Sequence, residues 1–203
     1  GDAEETLWRA HGRRVWTVMQ LRYHPVLAAL RERLQQSPPR GRAQVVLTYM
    51  TRRGNWYDAS WKADESKSGG LAMNLGVHFF DLLQWMFGRS EAAFLHLAQP
   101  RRMAGRVVLE RADVRWFLSI DHDDLPAEAR EKGKTAWRSL SIDGEEIEFS
   151  EGFGDLHTKV YAETIAGRGL GLADARPGIE LLHAIRTAPP ALDAANGHPL
   201  LRA

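Results

Sequence analysis

Between Arg52 and Asp81 the chain concentrates the side chains best suited to hold or transform a ligand, in the run RRGNWYDASWKADESKSGGLAMNLGVHFFD. Asn74 and His78 are four residues apart and Asp81 lies three further on, so on a helix the trio shares a face near its start and can converge on one substrate. Gly69 and Gly70 stand where loop gives way to helix. Their bare backbone and the helix N-terminus suit a phosphate or carboxylate, with Lys67 adding charge and Ser68 a hydroxyl. Trp56, Tyr57 and Trp61 offer flat faces for a base or sugar ring, and Arg52 and Arg53 can clamp a charged group. A nucleotide sugar combines all of these parts.

Each residue also has a plainer use. His78 has apolar neighbours and suits a hydrogen-bonded place in the core. The Gly pair can be only a turn, and the aromatics can pin a long loop to the domain. Lys62, Asp64, Glu65 and Lys67 alternate in sign, as a solvated stretch does. His78 with Asp81, or His157 with His183, lacks a third ligand at a metal-site spacing, so no metal is expected. There is no Gly-x-Ser-x-Gly elbow and no phosphate loop ending in Gly-Lys-Ser/Thr. GRGLGLADARPG, from Gly167, follows a helical pattern where a dinucleotide fingerprint must follow a strand, and reads as a helix-to-helix connector.

The elements that must position these residues follow from periodicity. Leu71, Leu75, Phe79, Leu82, Leu83 and Met86 recur every three or four positions and predict a central helix from Leu71 to Phe87, stopped by Gly88. Before it, Pro25 opens a helix carried by Val26, Leu27, Leu30 and Leu34, and QVVLTYMTRR from Gln44 reads as a strand. After it come strands AAFLHLA, GRVVLE and VRWFLSID, then WRSLSI and EEIEFS joined by Asp143-Gly144 in a tight hairpin. Two helices close the chain, about Leu156 to Ala166 and Ile179 to Thr187. Residues 2 to 11 predict a short helix ending at Gly12. VWTVMQL, from Val15, has too few polar alternations for a half-exposed strand and reads as one covered on both faces. Such a strand needs neighbours that the ten or so residues before it cannot supply, so the chain reads as beginning inside a larger α/β unit.

These elements make an α+β domain with an open, largely antiparallel sheet and helices on one face. On the other face Arg115, Phe117 and Ser119 alternate with Val114, Trp116, Leu118 and Ile120, and a face carrying Phe117 among polar residues suits a wet subunit interface as well as solvent.

Composition bounds the partners. The 203 residues carry 27 basic and 26 acidic side chains, a net charge of +1, with 44% hydrophobic residues. That excludes a disordered or fibrous chain and gives no field for tracking nucleic acid. The absence of cysteine excludes disulfides, thiolate zinc and a thiol nucleophile, and fits the cytoplasm. No run approaches a membrane span and the acidic N-terminus lacks a signal pattern. The expected partner is a small molecule or protein, with no nucleic acid and no membrane.

The segment SGGLAMNLGVHFFDLLQW resembles the Gfo/Idh/MocA oxidoreductases, whose substrate domain carries a Gly-Gly segment running into a helix with Gly-x-His. Within that family the whole string from TYMTRR to VHFFD is similar to NAD-dependent dehydrogenases of bacterial surface-polysaccharide (O-antigen lipopolysaccharide) synthesis, which oxidise the 3-hydroxyl of a UDP-N-acetylglucosaminuronate-type sugar. MQLRYHP, VRWFLSIDHDDLP and SIDGEEIEFSEGFGDLHTKVYAETIAGRG extend the likeness across about Val15 to Leu200. The resemblance implies that residues 1–22 are the last helix and strand of an N-terminal Rossmann domain, and that 23–203 form the substrate-binding and oligomerisation domain. The Gly-rich fingerprint and the Glu-Lys-Pro segment with the family's catalytic lysine do not occur in this chain. It implies NAD as cofactor, held mainly by that other domain, and a homo-oligomer, a tetramer, assembled through the open sheet face. His78 would take part in proton transfer, with Asn74, Lys67, Ser68, Gly69, Gly70, Trp56, Tyr57, Trp61 and Arg53 around the substrate. Many members carry aspartate where Asn74 stands; an amide cannot accept a proton at neutral pH, so a carboxylate relay is closed to this chain. The other readings are a nucleotide-sugar binding or scaffold module without redox chemistry, and a dehydrogenase of the same family acting on a different sugar.

Overall fold

Pro25 opens helix α1 (Pro25–Gln36), which follows a 3-10 turn at Gln20–Tyr23 and leads to strand β1 (Ala43–Thr51). Two single-turn helices, α2 (Asn55–Asp58) and α3 (Glu65–Ser68), lie in the long loop, and a π-helical turn, Ala72–Gly76, runs into α4 (Val77–Phe87). Strands β2 (Ser90–Ala98), β3 (Arg102–Leu109) and β4 (Ala112–Ser119) follow, then α5 (Ala127–Glu131), the hairpin β5 (Ala136–Ile142) and β6 (Glu145–Glu148), and helices α6 (Leu156–Ile165) and α7 (Leu172–Thr187). This computed structural model describes residues 6, 8, 10–191 and 196–201, the side chains of Asn55 and Glu148 excepted.

The six strands form one sheet in the order β2-β3-β4-β1-β5-β6. Only β1 and β4 pair in parallel, with Val45 opposite Val114 and Leu47 opposite Trp116; the other pairings are antiparallel. Asp143 and Gly144 both take positive φ, 50° and 90°, as the tight hairpin between β5 and β6 requires. Helices α1, α4 and α7 cover one face, burying Leu27, Leu30, Phe80, Leu83, Leu182 and Ile185 against Val45, Leu47, Trp116 and Leu140. Gly105 in β3 is dictated by packing: a Cβ there would sit 2.2 Å from the Phe94 carbonyl oxygen and 2.7 Å from the Trp116 ring.

Three expectations are corrected. Val15–Leu21 makes no strand within this chain. Thr17 alone bridges Leu170, donating its N–H at 2.7 Å, while Met19 and Leu21 are buried and Val15 is exposed. The apolar run lacks a neighbouring strand among the described residues, and a strand cannot form without one. Helix α7 starts at Leu172, not Ile179, because the Asp174 carboxylate accepts the Gly171 N–H at 2.8 Å and caps a turn ahead of Pro177. Phe117 and Ser119, expected on an open face, are 4% and 0% exposed. Residues 196–201 fold back there: the His198 ring lies 5.5 Å from Phe117, and Leu201 joins Met50, Ala104, Phe117 and Leu125 in a second apolar cluster. Of the helix expected at residues 2–11, Thr6, Trp8 and Ala10 are helical and the chain turns at His11–Gly12; residues 2–5, 7 and 9 lie outside the described residues.

Candidate functional site

The loop between β1 and α4 is tied by its own side chains. Asp64 caps α3, accepting from the Ser66 N–H at 3.0 Å and the Ser66 hydroxyl at 2.6 Å. These bonds and Lys67, 2.9 Å away, hold its carboxyl down at about 2. Gly69 ends α3 at φ +77°, and a Cβ there would meet the Met73 Cβ at 2.8 Å, so the turn demands glycine twice over. Ser68 donates to the Lys62 carbonyl at 2.9 Å and accepts the Gly70 N–H at 3.0 Å. The Asn74 amide nitrogen reaches Gly70 O at 2.9 Å and both Lys62 O and Ser68 Oγ at 3.1 Å, so its two N–H bonds serve three acceptors.

These bonds correct the roles expected of the loop. The Gly69 N–H donates to Glu65 O and the Gly70 N–H to Ser68, so the Gly pair closes the loop instead of presenting free donors to an anion. The Ser68 hydroxyl is engaged in the same knot. Lys67 pairs with Asp64 and is two-thirds exposed. Trp61 is exposed to solvent. Asp81, expected beside Asn74 and His78, faces away: it is 2% exposed and takes a two-point ion pair from Arg22 at 2.6 and 2.9 Å. Its position on α4 turns it toward α7, and burial raises its carboxyl against the pull of Arg22.

The rest of the expected set does gather. Met73, Asn74, Val77 and His78 are half-buried while Leu71, Leu75, Phe79 and Phe80 are buried, so Asn74 and His78 share the outward side of one continuous helix. The π-turn makes this possible. Its wider turn lets Leu71, Leu75 and Phe79, each four residues apart, all reach the core, and such turns recur at functional sites. Tyr57 is buried beside Arg53 and Asn74; burial raises its phenol, while the Arg53 charge and an Asn74 hydrogen bond oppose the rise. Trp56 is half exposed, edge-on to Tyr57 at 5.9 Å, with Lys62 5.7 Å over its ring. Arg52 is exposed.

Two polar atoms here are buried without a partner: His78 Nδ1 and Arg53 Nε. Burial, and secondarily the charge of His157, lowers His78 to about 4, so it is a neutral imidazole at pH 7. A buried group of this kind costs stability unless something else satisfies it. Three clefts, of about 580, 390 and 350 Å³, lie elsewhere. The first is lined by Trp8, Gly12–Trp16, Gly171 and Leu172, and His78 lines none of them. Gly167–Gly171 lies between α6 and α7, as expected of a connector, so it does not make the strand-to-helix turn that holds a dinucleotide.

Sequence reasoning missed Arg138 of β5. Its guanidinium lies 4.7 Å from the Tyr49 ring and 4.1 Å from the Phe153 ring. No sequence spacing signals it, because the register of β5 on β1 sets Arg138 opposite Tyr49.

A mixed sheet backed on one face by helices defines the class of an open α+β domain. Residues 43–119 match the family model of the oxidoreductase family C-terminal alpha/beta domain, and the chain belongs to the Gfo/Idh/MocA oxidoreductases. It is similar to the WlbA (WbpB) dehydrogenase from Thermus thermophilus solved with NAD and alpha-ketoglutarate, at 52% identity and a TM-score of 0.92 over 98% of this chain and 64% of that one. The same enzyme solved with NAD and UDP-GlcNAcA matches at 52% identity and 0.90, over 97% of this chain and 63% of that one. The WlbA dehydrogenase from Bordetella pertussis, solved with NADH and UDP-GlcNAcA, shares the fold at 20% identity and 0.62, covering 90% and 64%. The chain thus spans less than two thirds of the length of these relatives.

Proposed function

We propose that this chain is the substrate-binding part of an NAD-dependent UDP-sugar dehydrogenase, a UDP-N-acetyl-2-amino-2-deoxyglucuronate dehydrogenase that oxidises the sugar 3-hydroxyl. Residues 1–22 belong, on this reading, to a nucleotide domain and 23–203 to the substrate domain. The observation that carries it is the neutral, unpartnered His78 Nδ1 beside Asn74, in a chain 52% identical to an enzyme solved with NAD and UDP-GlcNAcA.

Oxidising a secondary alcohol removes a hydride from carbon and a proton from oxygen, and bound NAD accepts the hydride. His78 is the group placed to take the proton, since its ring is neutral at pH 7 and its Nδ1 spends no hydrogen bond within the chain. Asn74 cannot relay it; its amide oxygen is left to orient the sugar while its nitrogen holds the loop. Arg53 offers its unpaired Nε–H to an anionic part of the substrate and the exposed Trp56 a ring face, while Tyr57, expected to stack on the ligand, is buried in the core and supports them from beneath. Cofactor-binding residues belong to the nucleotide domain, in agreement with the helix-to-helix place of Gly167–Gly171.

No helix among the described residues is long and apolar enough to cross a membrane, and the reading places the enzyme in the cytoplasm, in O-antigen synthesis. It assembles as a homo-oligomer, a tetramer, through the part of the sheet's second face that residues 196–201 leave uncovered, where Phe94 is 39% exposed. The test is steady-state kinetics of the full-length gene product with NAD and UDP-GlcNAcA. His78→Asn should lower kcat far more than it raises KM; a wild-type protein that binds the sugar without oxidising it would leave a binding module instead.

A further inference from the structure

On the helix-covered face, Arg138 holds a charge that no described side chain neutralises. Among the described side chains it has no carboxylate partner. Its guanidinium donates from Nη2 to the Tyr49 hydroxyl and from Nη1 to the Ser150 carbonyl, both at a long 3.3 Å, which leaves most of its five N–H bonds unspent. No Arg138 nitrogen is sealed from solvent without a partner, so the open edge remains accessible.

The group is nonetheless fixed. Tyr49 and Phe153 both lie against it, and the Arg138 N–H donates to Ser150 Oγ at 2.7 Å. The loop bearing Phe153 is anchored from beneath: His24, 1% exposed, is 2.7 Å from the Glu151 carbonyl through Nε2, and Gly152 at φ +86° leaves room for that ring. A half-buried cation stacked by rings and held by backbone, with no counter-charge, is unfavourable alone and well prepared for an anion.

Its place decides which anion. The Tyr49 ring that carries Arg138 packs on Phe79 at 4.7 Å, and Phe79 follows His78 on α4, so Arg138 stands on the sheet face against which the helix bearing His78 packs. Arg53, by contrast, belongs to the loop with Trp56 and Tyr57, to which the proposed function assigns the nucleotide.

We propose that Arg138, with the Tyr49 hydroxyl, binds the carboxylate of a nucleotide-linked uronic acid and sets selectivity for the acid over the neutral sugar. This rests on the proposed function and names the feature of the substrate that the chain reads. A fork of N–H donors beside a phenol matches a planar carboxylate that accepts at two oxygens.

The test is calorimetric titration of the full-length protein with UDP-GlcNAcA, with UDP-GlcNAc, which keeps the diphosphate but lacks the carboxylate, and with UDP. Arg138→Met should weaken UDP-GlcNAcA about 10- to 100-fold and leave UDP-GlcNAc within about twofold. Arg138→Lys, which keeps the charge without the fork, should fall between. The readout is the ratio of the two affinities within each variant, which a partly unfolded sample does not change. Equal loss for all three ligands would overturn the carboxylate assignment in favour of the diphosphate, and no loss would overturn the anion site. A wild-type protein that binds UDP-GlcNAcA while its variants keep the wild-type ratio defeats this inference alone. One that binds none of the three defeats the proposed function as well.

Discussion

Two histidines on opposite faces of the sheet meet the same fate electrostatically and opposite fates in hydrogen bonding. His78 and His198 are both lowered to about 4, in each case first by burial. For His198 the second cause is Arg115, and the ring is satisfied on both nitrogens: Nε2 lies 3.0 Å from Thr48 Oγ1, and Nδ1 accepts the Leu200 N–H at 3.2 Å. It is 2% exposed and ties residues 196–201 over Phe117. His78 Nδ1 has nothing. A desolvated histidine is therefore not by itself a sign of chemistry. An unmet hydrogen bond is not such a sign alone either, since His24, which anchors the Phe153 loop, also has an unpartnered Nδ1; what sets His78 apart is that its ring lies on the outward side of α4 with Asn74.

The comparison breaks most visibly in turnover. His78→Asn in the full-length enzyme should cut kcat by about 100- to 10,000-fold, the range for loss of a positioned base, while the melting temperature moves little. His198→Ala should do the reverse, lowering stability by about 1 to 3 kcal/mol through the orphaned Thr48 and Leu200 groups, with kcat nearly kept. Parallel kinetics and thermal melts on the two variants check both, and a melt that collapses for His78→Asn would erase the distinction.

Both rings should make the protein acid-labile. A histidine lowered to about 4 in the folded state but near 6.5 when unfolded takes up its proton first in the unfolded chain. Its stabilisation is complete above pH 6.5 and is lost as pH falls toward 4, by up to about 3 kcal/mol for each ring. Urea denaturation at pH 7.5 and 4.5 should show the drop, and His198→Ala should reduce it. An unchanged pH dependence in that variant would place the labile group elsewhere.

Smaller effects sharpen the helix-side half. Gly69→Ala forces an L side chain to φ +77° against Met73 and should cost about 1 to 3 kcal/mol, with a raised KM as the loop over α4 loosens. Asn74→Asp places a carboxylate beside His78 and should raise its pKa, moving the acid limb of the kcat/KM profile to higher pH. The same change removes the donors that hold Gly70, Lys62 and Ser68, so part of the gain is lost to a looser loop. A pH profile that does not move would mean that the two side chains are too far apart to interact.

The central helix and its outward side were legible because apolar spacing reports burial directly: Leu71 to Met86 all pack as their periodicity predicts. What the spacing hides is the π-turn, since four-residue intervals suit either a straight helix or a widened turn, and only the hydrogen bonds tell them apart. The run at Val15 pairs only through Thr17 with Leu170 among the described residues, because composition states that a segment wants burial and not what buries it. Lys67, Ser68 and the Gly pair looked like ligand donors because a residue type names a capacity, and their neighbours in space had already used it.

From the amino-acid order alone come the helices from Pro25, Leu71 and Leu156, the six strands of the sheet, the hairpin at Asp143-Gly144 and the gathering of Asn74 and His78 on one helix side. These depend on local spacing and backbone preference, which act between near neighbours. The tertiary structure decided that Asp81 turns inward to Arg22, that residues 196–201 cover Phe117, and that Arg138 stands between Tyr49 and Phe153 with no carboxylate partner among the described side chains. Each of these rests on contacts across 15 to 89 positions, and whether a polar group is satisfied is settled only when distant parts of the chain have met.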